Sequence, residues 1–200
     1  MLNRAALLPA LLLAVSSLAA VPVSAATYKS TDGRIVVSAT TIDFGASQVV
    51  ARGKARVKTA DSATKTDFEA EADKIVVYLY SSSTSKTGTG MLGSVKNVDL
   101  SGSVKLIYDT VDPSGAPTKT IATAKNAIYN GGDNAAYLNG EVKVTHTNPA
   151  AFEGPVVMTG DKATVNLKPN LGPEDFRFRV ETPSGVSRIE ATPKNEAQKK

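Results

Sequence analysis

The stretch Ala136-Tyr137-Leu138-Asn139-Gly140-Glu141-Val142-Lys143-Val144 decides the fold, because the chain repeats its pattern three times. Leu138, Gly140, Val142 and Val144 alternate with Asn139, Glu141 and Lys143, the two-residue period of a strand with one buried face. The pattern occurs earlier as Val98-Asp99-Leu100-Ser101-Gly102-Ser103-Val104-Lys105-Leu106, and first as Val49-Val50-Ala51-Arg52-Gly53-Lys54-Ala55-Arg56-Val57. With the three glycines superimposed, Ala51, Leu100 and Leu138 coincide, then Ala55, Val104 and Val142, then Val57, Leu106 and Val144. A slip of one residue would invert every face, so the matching registers identify a repeated β unit.

A second phrase follows each glycine strand: Ala72-Asp73-Lys74-Ile75-Val76-Val77, Ala124-Lys125-Asn126-Ala127-Ile128-Tyr129 and Gly160-Asp161-Lys162-Ala163-Thr164-Val165. A degenerate copy, Ser38-Ala39-Thr40-Thr41-Ile42-Asp43, precedes the first. The repeated glycines lie 49 and 38 residues apart, which places the length differences in loops, chiefly Ser81–Gly90. Units that cannot each bury their own face stack into one extended core. Pattern and turn residues predict strands at Arg34–Phe44, Gln48–Lys58, Asp67–Tyr80, Val95–Asp109, Thr120–Tyr129, Ala135–Thr145, Val156–Leu167 and Phe176–Glu181, and no helix.

The charges of the first hairpin suggest its register. Arg52, Lys54, Arg56 and Lys58 form a basic ladder, and Asp67, Glu69, Glu71 and Asp73 an acidic one. Antiparallel pairing about Ser62-Ala63 sets Lys58 against Asp67, Arg56 against Glu69, Lys54 against Glu71 and Arg52 against Asp73, with Val57 opposite Phe68. The neighbouring cations neutralise these carboxylates, so the ladder reads as a solvated face and not as a cation site.

Residues 1–25 read as a cleavable signal peptide: Arg4, an apolar run to Val21, and Val23-Ser24-Ala25 before the cut. Retained, the same segment would be a membrane anchor. Residues 26–182 read as one β domain, and 183–200 as a polar, flexible tail. There is no cysteine, hence no disulfide framework and no thiolate metal site. The formal net charge of +4 is well short of the basic field of a nucleic-acid binder.

Nothing in the chain points to catalysis. The one histidine, His146, has no G-x-S-x-G nucleophile elbow to serve and no second histidine or cysteine with which to hold zinc; it reads as a strand-end or loop residue. Gly88-Thr89-Gly90 and Gly131-Gly132 do not stand between a strand and a helix, as phosphate loops do, and read as turns. The expectation is a non-enzymatic protein without cofactor or metal.

At the paired phrases, namely Ala72-Asp73-Lys74, Ala136 through Val142 and Gly160-Asp161-Lys162-Ala163, the chain resembles the OstA-like (LptA) family of periplasmic lipopolysaccharide-transport proteins. The resemblance runs from Val36 to Leu167. It implies an open, twisted all-β jellyroll with an apolar groove that shelters the acyl chains of lipopolysaccharide or a similar glycolipid. It also implies exposed sheet edges that pair end to end, with LptC-like and LptD-like jellyrolls or in a head-to-tail homo-oligomer, bridging inner and outer membrane in a diderm periplasm. The shared inward register nominates Val57, Phe68, Leu100, Val104, Leu106, Leu138, Val142, Val144, Val165 and Phe178 as groove wall. The alternative is a structural or membrane-anchored, LptC-like β-module that binds protein partners through its edges.

Overall fold

The computed structural model describes residues 25–29, 35–62, 65–80, 95–112, 114–168, 171, 175–183 and 185–194. The expected leader, apart from Ala25, and the loop 81–90 lie outside these residues. Among the described residues eleven strands form one antiparallel sheet: β1 Ala26–Lys29, β2 Ile35–Ala39, β3 Thr41–Phe44, β4 Gln48–Asp61, β5 Thr66–Leu79, β6 Val95–Val111, β7 Pro117–Asn130, β8 Ala135–Thr147, β9 Val156–Asn166, β10 Phe178–Glu181 and β11 Arg188–Glu190. The order β1-β2-β4-β5-β6-β7-β8-β9-β10 follows the chain, with β3 also on β4 and β11 also on β9. This is the expected all-β jellyroll, and its six central strands match the sequence reading closely.

Both repeated phrases belong to one feature, a crease that runs across the sheet. In β4, β6 and β8 the glycine and the residue after it are both left-handed: Gly53 and Lys54 at φ 77° and 49°, Gly102 and Ser103 at 76° and 49°, Gly140 and Glu141 at 84° and 53°. Every ladder from β4 to β9 shifts register at this level. It is a β-bulge stacked through the sheet. The neighbouring strands answer with two outward residues in succession between inward ones: Ala72 and Ile75 are buried around exposed Asp73-Lys74, and Ala124 and Ala127 around Lys125-Asn126. Ala39-Thr40-Thr41-Ile42 repeats this at the first corner. Thr40, Asp73 and Lys125 lie over the three glycines, so a Cβ there would come within 2.8 Å of Thr40 Cβ, 2.9 Å of Asp73 Cβ and 3.0 Å of Lys125 Cβ. Only glycine meets both the φ and the space.

The crease folds the sheet into two leaves. Leaf I holds residues 48–52, 74–79, 95–101, 126–130, 135–139 and 161–166 with β3 and β10; leaf II holds 55–61, 66–72, 104–111, 117–124, 142–147 and 156–160 with β1, β2 and β11. Their inner faces form one hydrophobic cluster. Aromatic contacts tie the leaves at both ends: Tyr28 of β1 meets Phe44 of β3 edge-on at 4.8 Å between ring centres, and His146 of β8 meets Phe178 of β10 at 4.9 Å.

Two expectations are corrected. In the first hairpin Lys58 faces Glu69 and Arg56 faces Glu71, while Val57 lies opposite Ala70 and Phe68 opposite Thr59. That is a two-residue displacement, which keeps every face. Beyond the bulge, Arg52 lies opposite Lys74 and turns instead to Asp43. Charge alone did not decide the register, because Arg56 reaches Glu69 at 2.9 Å and also pairs with Glu71, while Lys58 reaches Glu69 at 2.8 Å. Such exposed pairs contribute only about 0–1 kcal/mol each, too little to outweigh the bulge and the turn, where Lys65 is left-handed at φ 51°.

The second correction concerns the tail. Part of the expected flexible segment is in the sheet: β11 pairs with Val157–Thr159, Pro193 bridges to Phe152, and the Lys194 amide donates to the Ala151 carbonyl at 3.0 Å. The cause is the open edge of β9. β10 covers only Lys162–Val165, and the remaining unpaired backbone groups take the next extended segment.

Candidate functional site

Cross-strand registers arrange the interior as parallel rungs. In leaf I one rung reads Ile42, Ala51, Ile75, Leu100, Ala127, Leu138, Ala163, Val180. The rung nearer the lip reads Phe44, Val49, Val77, Val98, Tyr129, Ala136, Val165, Phe178. Leaf II answers with Val37, Val57, Ala70, Leu106, Ala122, Val144, Met158, Ile189. Its lip rung is of another kind: Ile35, Thr59, Phe68, Tyr108, Thr120, His146, Val156.

All ten nominated wall residues fall in this one interior. Leu100 and Leu138 share a rung, as do Val165 and Phe178, and Val57, Leu106 and Val144. Phe68 lies on the leaf II lip, and Val104 and Val142 stand at the crease. Nine of them are 0–6% exposed, and Phe178 is half-buried against the cluster. The interior is thus filled by its own side chains, with the leaves closed on each other. Among the described residues no three His, Cys, Asp or Glu side chains come together as a metal site.

The sequence reading missed the polar lips. On leaf I, Asn134 is buried with a left-handed backbone, φ 51°. Its Oδ1 accepts from the Tyr129 hydroxyl at 3.0 Å and its Nδ2 donates to the Leu167 carbonyl at 3.2 Å. Burial, and secondarily Tyr80, pushes the Tyr129 phenol up to about 12. On leaf II, Thr59, Thr66, Thr118 and Thr120 are all buried. Thr120 Oγ1 lies 3.0 Å from His146 Nδ1, and Thr66 Oγ1 lies 3.3 Å from Thr110 Oγ1. Thr59 Oγ1 alone among the described buried side-chain polar atoms has no hydrogen-bond partner.

Arg177 spans the mouth between the lips. Its Nη1 donates to the carbonyls of Asn166 and Lys168 at 2.8 and 2.7 Å, while its guanidinium lies 5.8 Å from the centre of the Tyr108 ring. Burial lowers its pKa. Burial, with Arg177 adding to it, also lowers that of His146, which favours the neutral imidazole. Parity could have placed Thr59 with Val57, Thr120 with Ala122 and His146 with Val144 on the inner face; residue type argued against it.

No protein-family model and no curated protein matches the sequence. Among solved structures, the chain is similar to the crystal structure of LptH, the LptA homologous periplasmic component of the conserved lipopolysaccharide transport device from Pseudomonas aeruginosa. The two superpose with a TM-score of 0.51 and are 15% identical, over 80% of this chain and 95% of that one. The protein has the LptA-like β-jellyroll fold.

Proposed function

We propose that this protein is a periplasmic carrier of lipopolysaccharide or a similar glycolipid, which shelters acyl chains between its two leaves and passes them on without chemistry. The observation that carries this reading is the set of continuous apolar rungs. A rung of eight residues crosses the sheet over roughly 34 Å at ~4.8 Å per strand, and many of its members are alanine, which leaves room between leaves once they part. Each methylene sheltered there contributes ~0.8 kcal/mol, which offsets part of the cost of parting the leaves. The sheet ends fit the partners expected of such a carrier. Among the described residues β1, β3, β10 and β11 each pair on one side only, and Phe44 and Ile189 are 60% and 66% exposed there. Such edges suit strand addition by LptC-like and LptD-like jellyrolls or a second copy.

The test is site-specific photo-crosslinking in the envelope, with the photoreactive group at Phe178, Val104 or Val142 and, as outward controls, at Lys105 and Lys143. Glycolipid labelled from the inward set alone is the expected result; equal labelling from both sets would sink the assignment. The closed interior favours a second reading, an envelope module that only binds proteins through its edges. Full-chain protein extracted without detergent and analysed by mass spectrometry separates the two, since that module would carry no stoichiometric lipid.

A further inference from the structure

Thr59 is out of keeping with its surroundings. It is 3% exposed, it stands on the inner face in register with Ile35 and Phe68, and its hydroxyl has no partner. The hydroxyls and imidazole beside it satisfy one another: Thr120 with His146, Thr66 with Thr110, and Thr118 Oγ1 donating to the Thr110 carbonyl at 3.4 Å. A buried hydroxyl left unpaired is destabilising, and valine, its isostere, would fill the same space without that penalty. It lies in the lip rung of leaf II, one inward position short of the Thr66 and Thr110 hydroxyls with which the inner face of that leaf ends.

Position gives the hydroxyl a use. A lipid lying along the apolar rungs passes from hydrocarbon to polar matter at the lip, and the first polar atoms beyond its chains are those of the acyl linkage. We propose that Thr59 Oγ1 donates a hydrogen bond to the ester or amide carbonyl that joins an acyl chain to its headgroup, and so fixes how deep the chain sits. This rests on the lipid-carrier reading above. An acyl carbonyl is a neutral acceptor, which a low-dielectric lip takes up far more easily than a charge.

Two lysophospholipids with the same chain and headgroup, one ester-linked and one ether-linked, differ at the carbonyl and provide the test with the full chain. The protein is expected to bind the ester about three- to tenfold more tightly, the range of one net hydrogen bond. Thr59→Val should abolish that preference by weakening ester binding alone, and Thr59→Ser should keep it. Thermal unfolding of Thr59→Val checks that it folds. Equal affinity of the natural protein for both lipids overturns the proposal, and so does a preference that survives Thr59→Val. If neither lipid binds while a fluorescent acyl probe does, the carbonyl contact is wrong and the carrier reading stands; if nothing amphiphilic binds, both fall.

Discussion

The two lips of the sandwich meet the same problem in opposite ways. Each must end an apolar interior where strands turn back into solvent. On leaf I, Tyr129, Asn134 and the Leu167 carbonyl form a closed chain of hydrogen bonds in which every group has its partner. On leaf II, threonines line the edge, one hydroxyl is left over, and contact with the other leaf is made by a half-buried His146 and by Arg177 over Tyr108. A satisfied buried network makes a wall rigid, and a partly satisfied one makes a seam. The difference predicts that leaf II is the looser side of this closed sandwich and leaf I the fixed one.

The largest effect that should sharpen this contrast is packing loss on the fixed side. Leu100→Ala, in the middle of a leaf I rung, is expected to destabilise by ~2–5 kcal/mol in urea unfolding; a loss under 1 kcal/mol would mean that leaf I is the loose side. Next is alkali. The Tyr129 phenol ionises near its ordinary value when unfolded but at about 12 when folded, so its contribution is whole below pH 10 and disappears as pH rises towards 12. About 1.4 kcal/mol per unit of pKa makes this roughly 2–3 kcal/mol, and Tyr129→Phe should flatten the alkaline limb. Third, Asn134→Ala strands the Tyr129 hydroxyl and the Leu167 carbonyl, at a loss of ~1–3 kcal/mol, visible as faster amide exchange in the turn 131–134.

Smaller effects belong to the seam. Thr59→Val should raise stability, by ~1 kcal/mol; a fall in the unfolding midpoint would show that the hydroxyl has a partner in the folded chain. Acid acts on the same side. The folded pKa of His146 is depressed by burial and Arg177, so the unfolded chain takes up the proton first. Stability therefore falls as pH drops below the usual imidazole range near 6.5. His146→Gln should remove that slope and leave the alkaline limb untouched, so the two pH limbs report on the two lips separately.

Much of the fold was legible because side-chain alternation records burial directly. The rung Ala51, Leu100, Leu138 and its fellows follow from superimposing three glycines, and both repeated phrases prove to be two sides of one crease. The crease itself was less legible. Gly140 reads as a bend, yet the left-handed Glu141 beside it carries no sign of its conformation in residue type. The same hidden step upset the first hairpin, where a charge ladder fits two registers almost equally well. The β11 strand was missed because Arg188-Ile189-Glu190 is short and polar; its place is set by the edge that β10 leaves open. The seam stayed out of sight because threonine and histidine on an inward face look like strand surface until the opposite leaf is in place.

The order of the strands has a consequence for how the molecule comes into being. Every long strand pairs with the strand just before and just after it, and only the short β2, β3, β10 and β11 at the ends share a partner. A Greek-key sandwich must first close long loops between strands distant in the chain, which slows folding. Here a hairpin formed anywhere is a template for the next, so ordering spreads outwards as in a linear array. The size of the finished molecule is then a matter of how many hairpins are strung together, since no ring has to close.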